Sequence, residues 1–136
     1  MTKLYIYKAD KSGISTCTVP VKENPKSYVI SFEDTNRVKK KGFPLMYRDR
    51  IPKNYLPLNQ ERQCLLISEN EYSFSEIQPV LQKMAHSLVR ECWSASEHIK
   101  KFPDDRCAVY TASLMNERQA VETAIQSATS VCRVKL

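Results

Sequence analysis

The sequence predicts a single α+β domain over residues 1–136, an antiparallel β-sheet from the N-terminal half packed against two C-terminal helices near 75–101 and 116–131. Three observations carry this reading. The first third is rich in β-branched and aromatic residues separated by turn clusters. Residues 75–101 repeat apolar side chains at three- and four-residue spacing, and so, more weakly, do residues 116–131.

Lys3 to Lys8 and Ile14 to Val21 read as the two arms of a hairpin, with Asp10 to Gly13 as its turn. Pro20 lacks a ladder donor, so the second arm is expected to end near it or to form an edge there. After the Asn24–Pro25 turn, Ser27 to Phe32 reads as a third strand. Gln63 to Ser68, a compact apolar run, is expected to be an inner strand leading into the core helix.

In that helix Ile77, Val80, Leu81, Met84, Ala85, Leu88, Val89, Cys92 and Ile99 share one side. Two starts are available, Ser73 with Glu76 or Ser75 with Gln78, and Pro79 favours Ser75 because it then falls in the first turn. Lys100 and Lys101 suit the helix C-terminus, and Phe102–Pro103 stops the run. Asp104–Asp105 reads as a turn, and Arg106 to Ala112 as a strand, with Ala112 as the earliest alternative start of the last helix. Asn116 is the expected cap of that helix, and Ala120, Val121, Ala124, Ile125, Ala128 and Val131 form its apolar side. Its small residues point to close packing on another helix, of the same chain or of a second copy.

The composition excludes several functions. With two glycines in the chain, glycine-rich phosphate loops are ruled out. The five cysteines include no C-x-x-C pair, and Cys17, Cys64 and Cys92 occupy positions suited to small core residues. His86 and His98 fall on different faces of the helix, so no metal site is expected. No nucleophile can be placed beside His86; no catalytic residue, cofactor or enzymatic activity is expected. The chain begins on a strand-like run without a charged leader and long apolar segment, which predicts a cytoplasmic protein with neither signal peptide nor membrane span.

Charge is distributed unevenly. Residues 35–62 hold eight cations against two anions, a net +6, which equals the formal charge of the whole chain. Prolines at 44, 52 and 57 predict a basic, loop-rich segment with one or two short strands around Leu45–Tyr47, and no regular helix. Within it Arg37, Lys39, Lys40, Lys41, Tyr47, Arg48, Arg50, Lys53 and Tyr55 combine cations with aromatics. Cations can pair with phosphates while aromatic rings stack on bases. Arg48 and Arg50 are the more specific members, because a planar guanidinium recognises phosphate or carboxylate bidentately, whereas lysine runs are common on surfaces.

A strand ending in Val21-Lys22-Glu23-Asn24-Pro25-Lys26-Ser27-Tyr28, then Arg50-Ile51-x-Lys53-x-x-Leu56, then a strand and an amphipathic helix, resembles small uncharacterised proteins of Bacillota phages and mobile elements over about residues 14–90. The resemblance implies a mobile-element context, in which such proteins act by binding host components, including those of antiviral defence. The sequence thus leads to a non-enzymatic binding protein whose basic segment engages a polyanionic partner: nucleic acid or a nucleoprotein complex. The alternatives are a small nucleotide ligand, an acidic protein surface, or an inhibitor or adaptor assembled as a homodimer through the last helix.

Overall fold

Strand β1 (Lys3–Asp10) buries Leu4 and Ile6 on one face and Tyr7 and Ala9 on the other, so neither side of the strand is left to water. The computed structural model describes residues 2–46, 50–101 and 105–136. The expected helix stop Phe102–Pro103, Asp104 of the expected turn, and the side chains of Ile99, Lys100, Lys101 and Cys107 lie outside what is described.

β1 pairs with β2 (Gly13–Pro20) through the predicted hairpin, in a register from Lys3–Pro20 to Asp10–Gly13, and β2 ends at the proline that cannot extend the ladder. On its other side β1 pairs with β7 (Leu65–Ser68), the expected inner strand, all four of whose residues are buried. β6 (Leu58–Gln60) and β8 (Val131–Arg133) complete a five-stranded sheet of order β6-β7-β1-β2-β8. The sheet is mixed where an antiparallel one was expected, because β8 runs parallel to β2. A parallel neighbour requires a long crossover, and everything between β2 and β8 supplies it.

One face of the sheet is covered by α2 (Phe74–Lys101) and α3 (Asp105–Ser127). Tyr7, Ala9, Ile14, Cys64 and Leu66 meet Ile77, Leu81, Met84, Ala85, Leu88 and Ile125 there. The other face carries a separate cluster: Leu4, Ile6, Cys17, Val19, Leu65 and Ile67 pack against Tyr28, Ile30, Val38, Phe43, Leu45 and Ile51. That second cover consists of β3 (Lys22–Glu23), β4 (Ser27–Val29), a helix α1 (Phe32–Lys40) and β5 (Arg50–Pro52). β3, β4 and β5 form a small antiparallel sheet in that order.

The third strand therefore ends at Val29 instead of Phe32, and a helix opens where a loop was expected. Leu45 lies outside any strand and Tyr47 outside the described residues; the strands of this segment are β5 and β6. Prolines begin only at Pro44, beyond the end of α1.

The start of α2 is the upstream one. Glu76 donates its backbone N–H to the Ser73 hydroxyl at 3.3 Å, and that hydroxyl donates to the Glu76 carboxylate at 2.9 Å. Pro79 then sits in the second turn, depriving only the carbonyl of Ser75, a residue exposed to water. Gln78 is used elsewhere: its Nε2 donates to the Ile125 carbonyl at 2.8 Å and ties the end of α3 to the beginning of α2.

α3 runs unbroken from Asp105, so residues 106–112 are helical, Asn116 lies inside the helix, and Val131 belongs to β8. The helix overrides the strand-like composition of that stretch, and the two helices lie against each other. His86 Nδ1 stands 3.0 Å from the Glu122 carboxylate and Arg118 donates to the Leu88 carbonyl at 2.9 Å, both between the two helices. Val121 and Ile125 of α3 and Ala128 just beyond it join the core cluster, while Ala120 is exposed. No described helix is long and apolar enough to cross a membrane.

Removing a capping hydroxyl costs about 1 kcal/mol, so Ser73→Ala should lower stability by that amount and Ser75→Ala by less than about 0.5 kcal/mol. Urea denaturation of the two variants reads the difference directly, and equal losses would place the cap wrongly.

Candidate polyanion-binding face

The lysine run is held on a short helix with both ends closed. The Ser31 hydroxyl accepts from the Asp34 N–H at 3.1 Å, and Glu33 and Asp34 occupy the first turn, next to the positive end of the dipole. At the other end Gly42 donates to the Lys39 carbonyl at 3.0 Å and Phe43 to the Val38 carbonyl at 3.2 Å. This double bond pattern is a Schellman stop, sealed by the burial of Val38 and Phe43 in one cluster. It needs the left-handed backbone at Gly42, whose φ is +89°.

Arg37, Lys39, Lys40 and Lys41 all point to solvent. Arg37 stands 3.7 Å from Asp34, while Lys39, Lys40 and Lys41 make no ion pair among the described residues. Phe32, Asn36, Lys39 and Lys40 are spaced i, i+4, i+7 and i+8, an exposed stripe that borders the buried side formed by Thr35 and Val38. Phe32 is 78% exposed.

Arg50 is exposed on β5. The registers Lys22–Val29 and Val29–Arg50 put Lys22 and Arg50 on the outward face of the small sheet, two strands apart. Tyr28 and Ile51, on the opposite face, are buried. The structure thus adds Lys22 and Phe32 to the predicted set. The Asn24–Pro25 hairpin could have indicated Lys22 by its alternation, and the Ser31-x-x-Asp34 cap could have indicated the helix that presents Phe32.

Lys53 differs from the other cations. Its ammonium lies 2.7 Å from the Glu23 carboxylate and 5.1 Å from the centre of the Tyr28 ring, and it is partly covered. The hydrogen bond and charge of Lys53 hold the Glu23 carboxyl below its ordinary value. Tyr55 is 52% exposed in the single 3-10 turn that follows β5. Tyr47 and Arg48 lie outside the described residues.

Two internal bonds support this layer. The Gln60 side chain, buried on β6, accepts from the Met46 N–H and donates to the Pro44 carbonyl, each at 3.0 Å, fixing the backbone that enters residues 47–49. Tyr28 donates its phenol proton to Glu69 at 2.5 Å, and that bond, with burial, raises the phenol to about 12. The face therefore brings α1 and the small sheet together on one side of the main sheet, with cations outward and apolar residues inward. No protein-family model matches the chain, and no curated protein or solved structure is significantly similar to it.

A Cβ at Gly42 would stand 2.9 Å from Lys8 Nζ as well as opposing the positive φ. Gly42→Ala should destabilise the protein by about 1–2 kcal/mol, measured by denaturant unfolding; an unchanged midpoint would refute the Schellman stop. The Tyr28 bond contributes fully below the ordinary phenol value of 10.0 and is lost as pH rises through about 12. The tyrosinate absorbance should accordingly show a component near pH 12 that Glu69→Gln moves down toward 10.

Proposed function

We propose that the chain is a non-enzymatic binding protein that holds a polyanion, single-stranded nucleic acid or a nucleoprotein containing it, on the outer face of α1 and the small sheet. The observation that carries this reading is the exposed stripe of α1, where an aromatic ring, a side-chain amide and lysines that make no ion pair among the described residues line one side of the helix. Lysines neutralise phosphates, and the ring offers a stacking surface to an unpaired base. Arg50 and Lys22 extend the positive surface onto the neighbouring sheet, and Tyr55 adds a second exposed ring. Arg48 is placed by sequence within the same segment.

An unpaired strand suits the face better than a duplex, because the aromatic contact requires bases released from their own stacks. The resemblance of residues 14–90 to phage and mobile-element proteins supports a role at a host component that carries nucleic acid, such as one of antiviral defence. The cytoplasm of the host is the compartment in which this partner would be met.

The reading is tested by fluorescence anisotropy of labelled single-stranded and duplex oligonucleotides across a salt series. Single-strand binding should weaken steeply with salt, and the double charge reversal Lys39→Glu with Arg50→Glu should reduce affinity by about ten-fold or more and lower the salt slope by about two. Phe32→Ala should weaken single-strand binding by about 1–3 kcal/mol and leave duplex binding unaffected. Undiminished binding by the charge-reversed variant would sink the proposal.

A further inference from the structure

A pocket of about 560 Å³ opens between the β1–β2 turn, the turn before β7 and the α2–α3 pair. Its volume lies within the range of roughly 300–1,000 Å³ in which proteins hold small ligands. Cys64, Ala85, Leu88, Leu114 and Val121 give it an apolar wall. Cys64 is buried there with φ +47°, the only positive φ at a non-glycine among the described residues. Such a backbone costs about 1 kcal/mol or more and recurs at ligand sites.

The polar feature of the wall is Arg118, whose side chain is only 19% exposed. Its Nη1 donates to the Leu88 carbonyl at 2.9 Å and to Cys92 Sγ at 3.2 Å. Glu91 stands 3.9 Å from the same nitrogen. These contacts fix the guanidinium plane, yet among the described residues Nε and Nη2 have no hydrogen-bond partner. No described side-chain nitrogen or oxygen is both sealed from solvent and unpaired, so these donors reach open space. A guanidinium held by one nitrogen on the wall of a partly apolar pocket, with its remaining donors not sealed from solvent, is suited to a planar oxyanion.

The charge of the lining limits that anion. Lys11, Arg62 and Arg118 face Asp10 and Glu117, a net of +1, and Lys11 is itself engaged with Glu117 at 3.5 Å. One carboxylate balances this excess, whereas a phosphate dianion overshoots it. We propose that the pocket binds a small apolar carboxylic acid, with its hydrocarbon body against Leu88, Leu114 and Val121 and its carboxylate on the open donors of Arg118. The site lies behind the other face of the main sheet from α1, and the proposal is independent of polyanion binding.

Titration calorimetry and saturation-transfer NMR with 2-naphthoate, its neutral amide 2-naphthamide and the dianionic 2-naphthyl phosphate provide the test. The carboxylate should bind about 10- to 100-fold more tightly than the amide, as a charge-assisted hydrogen bond implies, and more tightly than the phosphate. Arg118→Met should abolish the preference for acid over amide. Because Arg118 also joins α2 to α3, Leu114→Trp serves as a second variant that fills the pocket while leaving the Arg118 contacts in place. It should remove binding of all three probes with an unchanged helical circular dichroism spectrum. Equal binding of acid and amide, tighter binding of the phosphate, no binding of the acid, or full binding by Leu114→Trp would each overturn the proposal.

Discussion

The main sheet is buried on both faces, and this constraint decides where everything else in the chain can go. Leu4, Ile6, Leu65 and Ile67 need a cover on one side just as Tyr7, Ala9 and Leu66 need one on the other. The long helices α2 and α3 supply the second. The first must come from the chain between β2 and β6, which is also where the positive charge is concentrated. A segment that is both a core cover and strongly basic has to be two-sided, with Val38, Phe43, Leu45 and Ile51 inward and the lysines outward. The outward basic face is a consequence of that division: cations forced to one side of a layer whose other side is tied down by apolar burial.

Much of the architecture was legible from periodicity. The β1–β2 hairpin, the inner strand β7 and the extent of α2 follow from alternation, turn residues and a three-to-four repeat, signals that tertiary context reinforced. The errors arise where two signals compete. Between residues 32 and 43 the charge run and the nearby prolines suggested a loop, while Ser31, Asp34 and the Lys41–Gly42–Phe43 stop carried a complete pair of helix ends. Short helices of this kind depend on caps more than on composition. At 106–112 the competition ran the other way, with β-like residues lying within the unbroken helix α3. The choice between Ser73 and Ser75 turned on Pro79, whose penalty is small when the orphaned carbonyl faces water.

For the candidate site, composition located the segment and could not sort its members. Lys53 and Lys39 look equivalent in sequence, yet one is committed to Glu23 and the Tyr28 ring while the other makes no ion pair among the described residues. Lys8 is a further case: outside the basic segment, it bonds the Gly42 carbonyl at 2.8 Å, pairs with Asp10 and lies over the Phe43 ring, so its charge helps close the end of α1. Which cations hold the layer together and which face outward depends on partners that are distant in sequence. Alternation about the Asn24–Pro25 turn could place Lys22 outward, but its alignment with Arg50 follows from the strand register.

Positive charge alone has a simpler explanation that must be weighed against binding. Arg50 lies on the edge strand of the small sheet, and charged side chains on edges, together with a proline such as Pro52, discourage pairing with other chains. Lysines on α1 likewise favour solubility. The phenylalanine at the head of the same stripe is 78% exposed and adds nothing to either purpose, although Trp93 and Tyr110 are exposed elsewhere on the protein as well. Under the proposed function the outward ring and the cations on one stripe would serve together, one for stacking and the others for charge neutralisation, the two contacts that an unpaired nucleic-acid strand presents along its length.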